Sequence, residues 1–204
     1  WLFLRPGRLD RDAPGDPPSA EFAILRALDA VARGERLVCE LLAYAGRAAL
    51  RPAAVEPLPL LCALAHTLRS TLGTGIDVAV DVARDCPTCF ADAAALEAAL
   101  LNLAINARDA MPPHGSLRLA AEGDGAAGAV VFIVEDTGRG MDAEVAAKAA
   151  LPFFTTRDDP LAGMGLATAD GFARQSGGRL DLRSRPGRGT TVRLSVPAAA
   201  PVQR

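Results

Sequence analysis

Residues 101–111 read LNLAINARDAM. An amphipathic helix normally turns an apolar stripe inward and polar residues outward. Here Asn102, Asn106 and Asp109 stand at i, i+4 and i+7, within about 60° of one another at 100° per residue. Leu100, Leu101, Leu103, Ala104, Ile105 and Ala107 occupy the other faces, leaving one narrow polar seam on an otherwise apolar helix. Buried amides and carboxylates are costly unless paired. Two asparagines and an aspartate in such a seam call for a polar complement: a ligand, a metal ion, or the backbone of neighbouring loops.

Working outward from this helix, the pattern alternates. Ile76, Val78, Val80 and Val82 read as a strand, and Asp92 to Met111 as the helix itself. Leu117 and Leu119 mark a second strand, and Val130 to Val134 a buried central one. Leu180-Asp181-Leu182 and Val192-Arg193-Leu194-Ser195-Val196 read as a hairpin, with turn residues between them. Mixed helices and strands with adjacent strand pairs predict an α+β domain with helices on one sheet face. Upstream, Ile24, Leu28, Val31, Val38, Leu42 and Ala45 form a heptad seam broken at Glu35, which wants a partner helix. Gly34 costs that helix about 1 kcal/mol relative to Ala. Pro52, Pro57 and Pro59 mark a linker.

The 204 residues suffice for one domain plus a smaller element, and half of them are apolar. A net charge of −2 gives no electrostatic reason to expect nucleic acid or an anionic membrane as partner. No apolar run approaches the roughly 18 residues of a membrane span. Trp1 stands where a start methionine would, with no signal-peptide pattern after it, so the chain reads as part of a longer one. Of the four cysteines, only Cys86 and Cys89 form a C-x-x-C, and no second pair or nearby histidine completes a zinc set. A reduced loop is the expectation for that motif.

Three further elements follow the helix in order. Glu135-Asp136-Thr137-Gly138-Arg139-Gly140-Met141 puts a carboxylate at the end of the buried strand, then two glycines that permit a tight turn and close backbone approach. Next come Pro152-Phe153-Phe154-Thr155-Thr156, and then Gly163-Met164-Gly165-Leu166-Ala167 opening a helix. Glycines at a helix N-terminus leave free N–H groups, which suit phosphate oxygens.

Taken together, LNLAINARDAM, DTGRGM, PFFTT and GMGLA resemble the four boxes of the ATP-binding domain of sensor histidine kinases. The stretch from Gln175 to Pro197 is similar to that family's closing hairpin. The resemblance covers about residues 20 to 197. It implies a two-layer α/β sandwich of the Bergerat type preceded by a dimerisation helix. Residues 1–51 would be the remnant of a dimerising, phosphoacceptor hairpin, 52–60 a linker, 61–198 the catalytic domain and 199–204 a tail. It implies ATP and Mg²⁺ as cofactors, with Asn106 as metal ligand and Asn102 beside it as a second catalytic residue. Asp109 would join the polar network of the pocket. Asp136 would accept a hydrogen bond from the adenine amino group, with Gly138, Gly140 and Met141 approaching the base. Phe153, Phe154, Thr155 and Thr156 would flank a lid. Gly163, Gly165 and Leu166 would meet the phosphates, and Thr190 the adenine end. The implied partners are a response-regulator receiver domain and a second copy of the chain through the helical hairpin. The implied setting is the cytoplasm, whether or not the intact protein carries a membrane anchor.

Two features depart from that family. The lid RDDPLA, Arg157 to Ala162, is short and acidic, leaving Arg157 as its one cation. The acceptor histidine is also displaced. The segment ARGERLVCELLAYAGR resembles the second dimerising helix, which puts the acceptor upstream of Trp1. His66, in ALAHTLRSTL, echoes an acceptor box, yet Thr67 stands where an acidic general base belongs. His114 sits in a Pro-Pro-His-Gly turn. Three rival readings stay open. An anti-sigma-type serine kinase lacks the dimerising helix that the heptad seam supports. An ATP hydrolase of the same superfamily carries a glutamate where this chain has Asn102. A phosphotransfer scaffold with an impaired nucleotide site would fit the acidic lid.

Overall fold

The computed structural model describes residues 49–71, 75–156 and 162–200. The heptad seam from Ile24 to Ala45, the dimerisation helix it implies, and Arg157, Asp158 and Asp159 of the lid lie outside the described residues. The chain runs β1 (Ala53–Val55), α1 (Pro57–Thr71), β2 (Ile76–Val82), β3 (Cys89–Ala91), α2 (Ala93–Ala110), β4 (Gly115–Asp124) and β5 (Ala129–Asp136). It continues with α3 (Ala143–Lys148), a 3₁₀ turn (Ala162–Met164), α4 (Gly165–Gln175), β6 (Arg179–Ser184) and β7 (Thr190–Pro197).

Five strands form one mixed sheet in the order β2-β4-β5-β7-β6. β2 and β4 run parallel, and every other neighbouring pair is antiparallel. The alternation read from the sequence points one set of side chains at the helices. Val78, Leu117, Leu119, Val130, Phe132, Val134, Val192, Leu194 and Val196 share one core with Leu61, Leu64 and Leu68 of α1 and Leu96, Leu100 and Leu103 of α2. Each such side chain fully removed from water stabilises the fold by about 1.5–3 kcal/mol. The expected α+β sandwich, helices on one face, is what forms.

The other sheet face carries charge. Arg118 bonds Asp81 at 2.7 Å and Glu135 at 3.1 Å, and Arg193 bonds Glu122 at 2.6 Å. Arg193 is the register partner of Ile133, and Glu122 that of Val131. The Arg193–Glu122 pair therefore crosses β5 diagonally over those two residues. Their long stems cover apolar surface while the heads stay wet, which accounts for Val131 and Ile133 forming a small buried cluster with Ala120 on the side without helices.

The linker over 52–60 needs correction. Ala53–Val55 is a strand paired with Cys89–Ala91, and Pro57 opens α1 with its side chain buried. Proline is suited to the first turn of a helix, where its missing N–H has no intrahelical acceptor to lose. Pro57 and Pro59 therefore start an element that their composition alone marks as a break. The C-x-x-C falls where β3 begins. Cys62, Cys86 and Cys89 are free thiols, and burial pushes Cys86 up and Cys89 up to about 11. Thiols held protonated in this way are poor nucleophiles, in line with a reduced structural role.

Candidate functional site

The site lies between α2, the sheet and the loops that close over them. Asp92 caps α2, its carboxylate accepting from the Ala95 N–H at 3.0 Å and from the Arg51 N–H at 2.8 Å. These bonds hold its carboxyl below the usual range, the Ala95 N–H contributing most. Below the cap, Leu103, Asn106, Ala107 and Ala110 come to one face at helical spacing and form one wall of a cavity of about 160 Å³. The floor is a row of register partners, Val134, Val192 and Leu182, on β5, β7 and β6. Two residues along those strands the row turns polar: Asp136, Thr190 and Ser184. An apolar slot closed by a carboxylate fits a flat heteroaromatic ring that carries a hydrogen-bond donor.

Asp136 is buried. Its Oδ1 accepts from the Gly138 N–H at 2.8 Å and the Thr190 N–H at 3.2 Å. Oδ2 takes no bond from the described residues and is not one of the buried unpartnered atoms, which leaves it to the cavity. Burial pushes the carboxyl up from its ordinary value; the two N–H groups oppose that, and the charge of Glu135 adds to it. Ser184 stiffens the same corner. Its hydroxyl accepts from the Met141 N–H at 2.8 Å, donates to the Gly189 carbonyl at 3.0 Å and lies 2.9 Å from the Thr190 hydroxyl.

Gly140 has φ 65°, and a Cβ there would sit 1.9 Å from the Arg185 carbonyl oxygen. Only glycine fits that turn. Gly163 packs on the backbone of Phe153, where a Cβ would come within 2.6 Å of the Phe153 carbonyl carbon. Phe153 itself has φ 63°, a left-handed conformation that costs a residue with a Cβ on the order of 1–2 kcal/mol. That strain lies on the segment leading into the lid.

Asn106, Asp136, Gly140, Met141, Phe154, Thr155, Thr156, Gly163, Leu166 and Thr190 all line the cavity. Asn102 and Gly165 stand just behind: a Cβ on Gly165 would lie 3.2 Å from Asn106 Nδ2 and 3.7 Å from Asn102 Cβ. α4 begins there with no side-chain cap, which leaves its first N–H groups to other partners. Gly138 supports Asp136 rather than lining the space. Phe153 turns outward and is 53% exposed. Asp109 is not a lining residue; its carboxylate is paired with Arg108 at 2.7 Å. Sequence reasoning missed Leu103, Ala107, Ala110, Val134, Arg139, Ala149, Leu182 and Val192. Helical spacing from Asn106 points to the first three. Nothing in the sequence singles out Leu182, Val192 or Ala149, which arrive by strand pairing and loop closure. His66 is exposed on α1 and His114 lies in the turn before β4; neither lines the cavity.

The fold defines a two-layer ATP-binding domain. A family profile described as "Histidine kinase-, DNA gyrase B-, and HSP90-like ATPase" matches residues 91–200, more than half of the chain. The chain belongs to this family. It is 37% identical over 179 residues to the sensor kinase CckA of Brucella abortus (strain 2308), an alignment covering 81% of this chain and 19% of CckA. Among solved structures, full-length ShkA in complex with AMPPNP superposes with a TM-score of 0.73 at 29% identity, covering 91% of this chain and 40% of ShkA. The histidine kinase ThkA, solved with the response regulator TrrA, superposes at 0.69 with 20% identity, covering 90% of this chain and 53% of ThkA, and shares the fold. The chain spans about a fifth of CckA and two fifths of the ShkA chain. Among the described residues no helix is long and apolar enough to cross a membrane.

Proposed function

We propose that this chain is the catalytic region of a sensor histidine kinase, which binds Mg-ATP and passes the γ-phosphoryl group to a histidine for relay to a response-regulator aspartate. The observation that carries the reading is the slot itself: Asp136 and Asn106 line one cavity, and the uncapped start of α4 packs against Asn106 and Asn102. The relative CckA is a sensor kinase, and full-length ShkA was solved in complex with AMPPNP, an ATP analogue.

Asp136 Oδ2 accepts from the adenine amino group while Val134, Val192, Leu182 and Leu103 enclose the ring. Gly163, Gly165 and the first N–H groups of α4 face the phosphates. No group of three His, Cys, Asp or Glu side chains forms a metal site among the described residues. Asn106, through its amide oxygen, is the residue that would hold Mg²⁺ together with the substrate's phosphates. Bound there, the ion offsets part of the triphosphate charge. In the transfer, an imidazole nitrogen forms a bond to the γ-phosphorus as the bond to the β,γ-bridging oxygen breaks, and ADP leaves with that electron pair. Little covalent work remains for the protein, so positioning is most of the catalysis. Asn102, an amide with no proton-accepting carboxylate, does not activate water, which favours transfer over hydrolysis.

Neither described histidine lies in the site, so the acceptor belongs to a dimerising hairpin with residues 1–51 as part of it, in a homodimer. The catalytic domain then takes in β1 and the start of α1 as well as 61–198. The work is done on the cytoplasmic side, where ATP is. The test is labelling with γ-labelled ATP and Mg²⁺, supplying the acceptor helices on a longer chain. Acid-labile label on the longer chain and none on residues 1–204 alone is expected. Phosphate release without labelled protein would overturn the transfer in favour of hydrolysis, and a base-labile, acid-stable label would point to a serine kinase.

A further inference from the structure

Two charged side chains line the cavity among the described residues, Asp136 and Arg139. Arg139 is the residue between Gly138 and Gly140, a position whose side chain the motif does not specify. Its backbone is pinned on both sides: its N–H donates to the Ala110 carbonyl at 2.9 Å, and its carbonyl accepts from the Gly187 N–H at 2.7 Å. Held between the end of α2 and the β6–β7 tip, it extends its guanidinium to Thr156 Oγ1, 3.4 Å from Nη2. Among the described residues that is its one side-chain bond, and no carboxylate there pairs with it. A distant neutral hydroxyl leaves most of the five guanidinium donors unused. Arg108, the other cation near the seam, is already paired with Asp109. A cation with its backbone held and no carboxylate partner among the described residues, at a cavity for a polyanionic ligand, has an obvious counter-charge.

We propose that Arg139 binds the phosphate chain of the nucleotide, adding positive charge to a site whose neighbouring segment RDDPLA is acidic on balance. The proposal rests on the nucleotide reading given above. A guanidinium fork matches two phosphate oxygens in parallel, and the Thr156 contact puts it beside residues that line the same cavity. Arg139 is a binding and positioning residue here; it transfers no proton.

The whole chain is titrated with adenosine, AMP, ADP and ATP in Mg²⁺ at low salt, comparing the native protein with Arg139→Gln and Arg139→Lys. Arg139→Gln should weaken ATP binding about tenfold, as expected for one partly exposed charge-assisted contact. The loss should shrink through ADP and AMP and vanish for adenosine. Arg139→Lys should recover part of it, and added salt should narrow the gap between native and Gln proteins. Equal losses for adenosine and ATP would overturn the proposal by making Arg139 a contact of the base. No loss for any ligand would overturn it by leaving the side chain in solvent. In both cases the nucleotide reading survives, because the native protein still binds ATP. A native protein that binds neither adenosine nor ATP would sink both.

Discussion

Asp136 concentrates the chemistry of the site in one carboxyl group. One oxygen is committed to two backbone donors and the other faces the cavity, so Asp136→Asn keeps the Oδ1 bonds and replaces the free acceptor by an NH₂. That group meets the adenine amino group donor to donor. Losing a charge-assisted bond in this way costs about 1.5–3 kcal/mol, at least a tenfold loss of ATP affinity by calorimetry, with an unchanged circular dichroism spectrum. Unchanged affinity would remove Asp136 from the base pocket. The pH dependence has a definite sign. Burial raises this carboxyl in the folded state, so the folded protein holds the proton more tightly than the unfolded chain. Its contribution to stability is therefore present below the ordinary carboxylate value and is lost as pH rises through the raised one. Thermal melts of the nucleotide-free protein should show Asp136→Asn gaining on the native protein across that rise. Nucleotide affinity runs the other way, falling as acid protonates the acceptor. Asp136 was legible because it ends an apolar strand and precedes two glycines. The partner of its Oδ1, the Thr190 N–H, comes from 54 residues away and was not.

At the level of elements, α2 was readable almost to its ends. The apolar rows and the polar seam follow from 3.6-residue periodicity, and the helix expected over Asp92 to Met111 forms from Ala93 to Ala110 with those two end residues as its caps. Asp92 also receives the Arg51 N–H, so the same carboxylate joins the helix to the chain that enters the domain. Asp92→Ala should lower stability by about 1 kcal/mol in urea unfolding, while Asp92→Asn should recover most of it. A neutral result would mean that the Arg51 and Ala95 bonds are replaced by water at no cost. The start of the domain was misread because Pro57 and Pro59 break helices everywhere except where they stand here. Composition cannot tell a helix's first turn from a linker; the burial of Pro57 does.

Across the whole molecule, the sheet divides two environments. One face is a continuous apolar core, and the other is closed over Val131 and Ile133 by ion pairs and their aliphatic stems. The Arg193–Glu122 pair is partly exposed, so its coupling in a double-mutant cycle should be below about 1 kcal/mol and decline with salt. Arg193→Ala should cost more than that coupling, because it uncovers Ile133 as well as breaking the pair. If the single substitution cost no more than the coupling, the stems would not be covering the strand.

Resemblance to a family, rather than periodicity, named Phe154, Thr155, Thr156, Leu166 and Thr190; the sequence by itself determined the α+β class, the main strands of the sheet, the polar face of α2 and the glycine turn after Asp136. Those depend on local periodicity and on turns that only certain residues make, and both are properties of short segments. Only the tertiary structure decided which seam residue lines the cavity, since Asn106 faces in while Asn102 stands behind and Asp109 is paired with Arg108. It also decided that Val134, Val192 and Leu182 make one floor, and that Arg139 reaches Thr156. These depend on strand register and on where distant loops close, set by the packing of the whole core rather than by any one stretch of chain.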